Sequence, residues 1–157
     1  MKRSKKAFLS SAVASVALVG SLGIASLASA ASDFSGFPTL SLGSSGGYVR
    51  ALQANLWCYG QSGSVGTIDG SFGSGTKTGL MSFQSSKGLS ADGVAGSATW
   101  NTMNYSVTVE IPNTYFYLWT ADSTTYWADY TTSSSNHLTY NVKYKSNNSV
   151  VTSGTVY

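Results

Sequence analysis

An eight-residue segment occurs twice in this chain, and the duplication limits its fold more than any other feature. Asp69-Gly70-Ser71-Phe72-Gly73-Ser74-Gly75-Thr76 returns as Asp92-Gly93-Val94-Ala95-Gly96-Ser97-Ala98-Thr99, at an offset of 23 residues and with five of eight positions identical. Similarity at so short a period means one supersecondary unit built twice. Each copy reads as a tight turn followed by a helix start. Asp hydrogen-bonds the backbone ahead of it and Gly takes a positive φ. Gly-Ser then stands where an N-cap belongs, with Thr just inside the first turn. These are scaffold residues rather than a reaction centre.

The apolar pattern places helices around the two turns. Val49, Leu52 and Leu56, with Ala51 and Trp57 beside them, mark an amphipathic helix from Gly47 to Cys58 or Tyr59, closed by Gly60. Residues 61–67 read as a Ser/Gly loop. A second helix runs from Ser74 to the stop at Gly88, with Thr76, Leu80 and Phe83 on one face. Gly75 and Gly79 weaken it by up to about 1 kcal/mol each relative to Ala, so packing must hold it. A third helix covers Ser97 to about Met103, with Trp100 and Met103 at i, i+3.

After Asn104 the helix formers give way to β-branched and aromatic residues. Segments 105–111, 114–120, 124–130, 138–145 and 149–157 read as strands, separated by turn clusters such as Pro112-Asn113 and Ser146-Asn147-Asn148. Tyr140, Val142 and Tyr144 alternate with Asn141, Lys143 and Lys145. The fold class is therefore α+β: a small three-helix bundle with twin Asp-Gly turn–helix repeats, then a small antiparallel β meander. Such a sheet has little core of its own and must pack on the helices or on a partner.

Residues 1–30 read as an export signal. Lys2, Arg3, Lys5 and Lys6 precede an apolar run broken by Ser and Gly, and Ala28-Ser29-Ala30 supplies a cleavage site. The broken run makes a poor permanent membrane span, so no stable membrane anchor is expected. Beyond it, residues 31–37 form a short leader, 38–104 the helical domain and 105–157 a Tyr/Thr-rich β segment. The basic pI of about 9.0 belongs to the signal, because the rest keeps only Arg50, Lys77, Lys87, Lys143 and Lys145 against six acids. Five scattered cations cannot line a phosphate backbone, which excludes nucleic acid as a partner. Cys58 is the only cysteine, so no internal disulfide staples the fold.

The ordered set Leu42-Gly43-Ser44-Ser45-Gly46, Val49, Leu52-Gln53, Leu56, Ile68-Asp69-Gly70, Phe72-Gly73, Thr76, Leu80, Phe83-Gln84, Gly88-Leu89, Asp92-Gly93-Val94, Gly96 and Thr99-Trp100 resembles the peptidoglycan-binding domain common in exported bacterial wall hydrolases. The resemblance covers about residues 38–104. It implies a compact three-helix domain that attaches proteins to the cell wall, with peptidoglycan as partner. Gly79 stands where that pattern usually has Ala, and Ser74 and Ser97 where Pro is common. The resemblance does not extend to residues 105–157, where no family is recognised.

The inventory speaks against catalysis. His137 is the only histidine, so a His-rich zinc site cannot form. Cys58 has only His137 as a base, in another segment. Asp69 and Asp92 are explained as turn formers, and no Gly-x-Ser-x-Gly elbow is present. The expected protein is non-enzymatic, without cofactor or metal, and extracellular or associated with the wall. Its ligand-binding candidates are Tyr48, Trp57 and Tyr59 on or just after the first helix, with Asp69 and Asp92 in the turns. Phe72, Leu80, Phe83 and Trp100 are assigned to the core. The β segment carries eleven aromatic residues, more than a small core can hold, so some of Tyr115, Tyr117, Trp119, Tyr126, Trp127 and Tyr130 should face outward, toward sugar or a protein partner. The alternative function is a secreted antibacterial or interaction effector, with an active β segment that the helical domain targets to the wall.

Overall fold

The computed structural model describes residues 33–110 and 115–157. The export signal and the Pro112-Asn113 turn lie outside the described residues. The chain folds as α1 (Gly47–Cys58), α2 (Ser62–Val65), α3 (Ser74–Ser86), α4 (Ser97–Asn104), then β1 (Val107–Glu110), β2 (Tyr115–Leu118), β3 (Tyr126–Thr132), β4 (Leu138–Tyr144) and β5 (Val150–Thr155). This is the α+β order expected. The strands form one antiparallel meander in the order β1-β2-β3-β4-β5.

Val49, Leu52 and Leu56 of α1 are fully buried, as are Leu80 and Phe83 of α3 and Met103 of α4, with Phe72 and Trp100 nearly so. The helical period put them on the core side. The short helix α2 lies where a loop was expected. Ser62-Gly63-Ser64-Val65 carries no apolar period, and its helical turn comes from docking on α3. A Cβ on Gly75 would sit 2.6 Å from the Ser64 carbonyl oxygen, and one on Gly79 would sit 2.8 Å from Val65 Cγ2. The two glycines cost helix propensity and in return give α2 a flat seat. Gly73 and Gly96, in extended conformation, occupy the N-cap positions of α3 and α4 without side-chain capping bonds. Of each Gly-Ser pair expected at the N-cap, the glycine is the cap and the serine the first helical residue.

The sheet packs its inner face on the helices. Phe116 and Leu118 of β2, Ala128 and Tyr130 of β3, and Leu138, Tyr140 and Val142 of β4 are buried in the same core as α1. Register explains the grouping, since Phe116 pairs with Tyr130 and Tyr130 with Tyr140, and paired residues share a face. Tyr130 stacks on Phe116 at 4.9 Å between ring centres and donates its hydroxyl to Asn55 Oδ1 at 2.6 Å. Thr120 donates to the Cys58 carbonyl at 2.5 Å, and Lys87 pairs with Asp122 at 2.8 Å. The change of composition after Asn104 therefore does not mark a gap in packing. The described part of the segment expected as a short leader, residues 33–37, contributes to the same core. Phe34 is fully buried, with its ring centre 6.0 Å from Trp100, 5.6 Å from Phe116 and 5.3 Å from Tyr130. It joins α4 to the sheet.

Candidate functional site

The duplicated turns are built around two buried glutamines. Gln53 of α1 is 1% exposed and Gln84 of α3 is 2% exposed. Gln53 Nε2 donates to Asp69 Oδ1 at 2.9 Å, to the Ser71 carbonyl at 3.1 Å and to Thr76 Oγ1 at 3.1 Å, while its Oε1 accepts from the Gly70 N–H at 2.9 Å. Gln84 repeats the pattern with Asp92 at 2.9 Å, the Val94 carbonyl at 3.0 Å, Thr99 at 3.3 Å and the Gly93 N–H at 3.0 Å. Asp69 and Asp92 each also accept the N–H two residues on, from Ser71 and Val94. Gly70 and Gly93 take φ of 80° and 72°. Backbone beyond each turn is pinned as well: Phe72 exchanges bonds with the segment at Ser44, and Ala95 with Leu40.

These locks account for the carboxylates electrostatically. The Gln53 amide, then the Ser71 N–H, hold the Asp69 carboxyl below the usual range. For Asp92 the Val94 N–H is the larger cause and the Gln84 amide the next. A carboxylate that accepts several bonds is stabilised in its charged form. Both acids are turn formers first, in keeping with their Asp-Gly context. The one available signal for the glutamines was the Leu52-Gln53 and Phe83-Gln84 pairs, where a polar residue follows a core position and would itself face inward.

The five ligand-binding candidates do not come together. Tyr59 is 4% exposed; its hydroxyl donates to the Met103 carbonyl at 3.1 Å and its ring packs 4.6 Å from Phe83. Burial pushes its phenol up to about 12. As a ring without an open face it belongs to the core, because the chain turns inward where α1 ends. Tyr48 is half-buried between Phe37 at 5.0 Å and Tyr157 at 5.7 Å. Trp57 remains at the surface. It donates from Nε1 to the Gly66 carbonyl at 2.9 Å and lies 4.9 Å from Tyr126 of β3.

Trp57 and Tyr126 form the aromatic wall of a groove of about 480 Å³, bordered by Ser62, Gly63, Gly66, Thr67, Ile68 and the strand residues Val151 and Thr152. Asp92 lines a smaller cleft of about 210 Å³ at the second turn, with Gln84, Ser90, Ser97 and Thr99. Asp69 lines neither. Cys58 is fully buried, and desolvation pushes its thiol well above the ordinary range. His137 is exposed, in the β3–β4 hairpin, with Nδ1 3.0 Å from Ser135 Oγ. Among the described residues no three His, Cys, Asp or Glu side chains converge as a metal site would require.

A turn–helix unit used twice, each copy locked by one buried glutamine, defines a small helical repeat module with open clefts. Residues 45–103 match the sequence model of the peptidoglycan binding domain. Similar proteins include the zinc D-Ala-D-Ala carboxypeptidase of Streptomyces albus G, 52% identical over 63 residues, which are 40% of this chain and 25% of that protein. An uncharacterized protein of Kitasatospora aureofaciens, from the bpoA1 3' region, is 39% identical over 69 residues, 43% of this chain and 57% of its own length. The match thus spans a quarter of the first relative and a little over half of the second.

Proposed function

We propose that the protein is exported, binds peptidoglycan through the helical module and catalyses no reaction of its own. The observation that carries the reading is the family match over residues 45–103, which coincides with the doubly locked module and its clefts. Peptidoglycan is a strand of amino sugars bearing short peptides. Amino sugars call for an aromatic face beside polar groups. The groove at Trp57 and Tyr126 has that composition, with Ser62, Thr67 and Thr152 at its border. We assign it as the main wall contact, with the cleft at Asp92 available to a stem peptide. Tyr48, Tyr59 and Asp69 act by holding the module's shape.

The non-catalytic reading is supported by how the reactive side chains are engaged. Asp69 and Asp92 are tied into turns, Asp129 is paired with Lys143 and Cys58 is sealed in the core. The carboxypeptidase activity named for one relative belongs to a protein of which this chain matches only a quarter. The shared core between helices and sheet speaks against an effector whose two halves act separately.

Sedimentation of the purified protein with bare cell-wall sacculi tests the assignment. The protein should pellet with the sacculi, and Trp57→Ala should release about tenfold more into the supernatant while leaving the far-ultraviolet circular dichroism unchanged. Sedimentation of the variant at the wild-type level would place the contact elsewhere. Release of soluble muropeptides by the intact protein would overturn the non-catalytic reading.

A further inference from the structure

The outer face of the sheet, turned away from the helices, carries a second groove. Its volume is about 390 Å³, and its walls include Glu110, Tyr115, Tyr117, Trp119, Trp127 and Lys145. The alternation of the strands creates it. Tyr126 faces inward to the groove at Trp57, and its neighbour Trp127 faces outward. Along β2 and just past its end, Tyr115, Tyr117 and Trp119 recur at every second residue, a step of roughly 7 Å in an extended strand. Trp127 stands beside them, with ring centres 6.2 Å from Tyr117 and 5.6 Å from Trp119.

Three observations bear on what such a groove holds. The first is its rigidity. Lys143 Nζ lies 4.9 Å from the Trp127 ring centre and Lys145 Nζ 4.7 Å from that of Trp119. Lys145 is fixed in turn by the carbonyls of Thr120 at 2.5 Å and Ser123 at 2.6 Å. Rings held upright by ammonium groups are pre-ordered, which lowers the cost of binding. The second is charge. On this face Lys143 and Lys145 are balanced by Asp129 and Glu110, and Lys143 already pairs with Asp129. A balanced face favours neither an anionic nor a cationic ligand. The third is an unmet donor, because Trp127 Nε1–H is enclosed and has no acceptor among the described residues. An enclosed N–H without a partner is costly, and a small turn of the indole toward the groove would open it to a ligand oxygen. Trp119 meanwhile stays 49% exposed, far more than a tryptophan with only a packing role.

We infer that the outer face of the sheet is a second carbohydrate site, one that takes an uncharged glycan strand along the Tyr115–Tyr117–Trp119 row with Trp127 beside it. Sugar rings present an apolar face to aromatic rings and hydroxyl or amide oxygens to donors, which accounts for the aromatic row, the charge balance and the unpaired indole N–H together. The site is independent of the wall contact assigned to Trp57, since the two lie on opposite faces of β3.

The test is a titration of the protein with the neutral tetramer of N-acetylglucosamine, followed by the tryptophan indole N–H resonances, with Trp127→Phe used to assign Trp127. The Trp127 and Trp119 resonances should shift on addition of the tetramer. Trp119→Ala and Tyr117→Ala should each weaken that response about tenfold, while Trp57→Ala leaves it unchanged. Tyr117→Phe, which keeps the ring, should bind as wild type and guards against a folding artefact in Tyr117→Ala. Unmoved Trp119 and Trp127 resonances at millimolar tetramer would overturn the proposal, as would a response lost in Trp57→Ala and kept in Trp119→Ala. Loss of wall sedimentation in Trp57→Ala with the tetramer response intact would leave both sites standing, and the reverse loss would remove only this one.

Discussion

Replacing Gln53 tests whether the duplicated turns depend on their buried amides. Gln53→Ala removes three donated bonds and one accepted bond. Asp69 and Ser71 are exposed and recover water, but Gly70 and Thr76 are buried and lose their partners outright. An orphaned buried donor costs about 1–3 kcal/mol, and each ordinary bond about 1 kcal/mol net. The expected loss is therefore about 3 kcal/mol, or roughly 6–12 °C in Tm for a chain of this size. Gln53→Glu is the sharper test. It replaces the amide donor with an acceptor facing Asp69 Oδ1 and the Ser71 carbonyl, and two carboxylates near contact repel by up to about 4 kcal/mol at the effective dielectric of a partly exposed site. Protonating the new Glu restores one donor. Thermal melts followed by circular dichroism between pH 8 and pH 4 should show the deficit of Gln53→Glu narrowing as pH falls. The wild-type Asp69 acts in the opposite direction. Its lowered carboxyl contributes stability above the unfolded value that is lost as pH falls through the folded one. Gln61→Ala, whose amide makes a single bond of 3.3 Å to the Tyr59 carbonyl, is the control and should cost no more than about 1 kcal/mol. A pH-independent deficit for Gln53→Glu, or Gln53→Ala melting with the control, would refute the lock.

Alkaline conditions should destabilise the fold through its phenols. Burial raises Tyr130 well above its ordinary value of 10.0 and raises Tyr59 to about 12, so the stability they contribute is complete below the unfolded value and is lost as pH rises through the folded ones. Unfolding at fixed temperature, followed by tyrosinate absorbance, should set in above pH 10 and be delayed by Tyr59→Phe; equal sensitivity in that variant would contradict the assignment. Gly75→Ala, which raises helix propensity by about 1 kcal/mol in an open helix, should here destabilise by about 1–3 kcal/mol, because its Cβ would lie 2.6 Å from the Ser64 carbonyl oxygen; a raised Tm would mean that α2 does not dock on α3. Phe34→Ala should cost about 3–5 kcal/mol, because that ring is fully buried between α4 and the sheet, and a chemical denaturation midpoint near wild type would show that it lies outside the core.

Much of this structure was written in local pattern. The period of Val49, Leu52 and Leu56 placed α1 and chose its buried face, and Asp-Gly announced both turns. The alternation around Tyr140, Val142 and Tyr144 located β4 within a residue of its observed end. These features depend on neighbours a few positions away, which a sequence displays directly. Tertiary structure decided the features that depend on distant partners. Gln53 is buried because Gly70, Ser71 and Thr76 offer it bonds across the fold, and local pattern gives no more than its place directly after the core residue Leu52. The tyrosines at the two ends of α1 looked alike as binding candidates. Tyr59 meets Phe83 and the Met103 carbonyl, and Trp57, two residues earlier on the helix, meets a groove. Which face of the sheet met the helices was also undetermined by alternation, which separates Tyr126 from Trp127 without saying which turns inward. Packing on α1 settled that choice, because Tyr130 and Tyr140 had to be removed from water together with Leu52 and Leu56, and this left the opposite aromatic row at the surface.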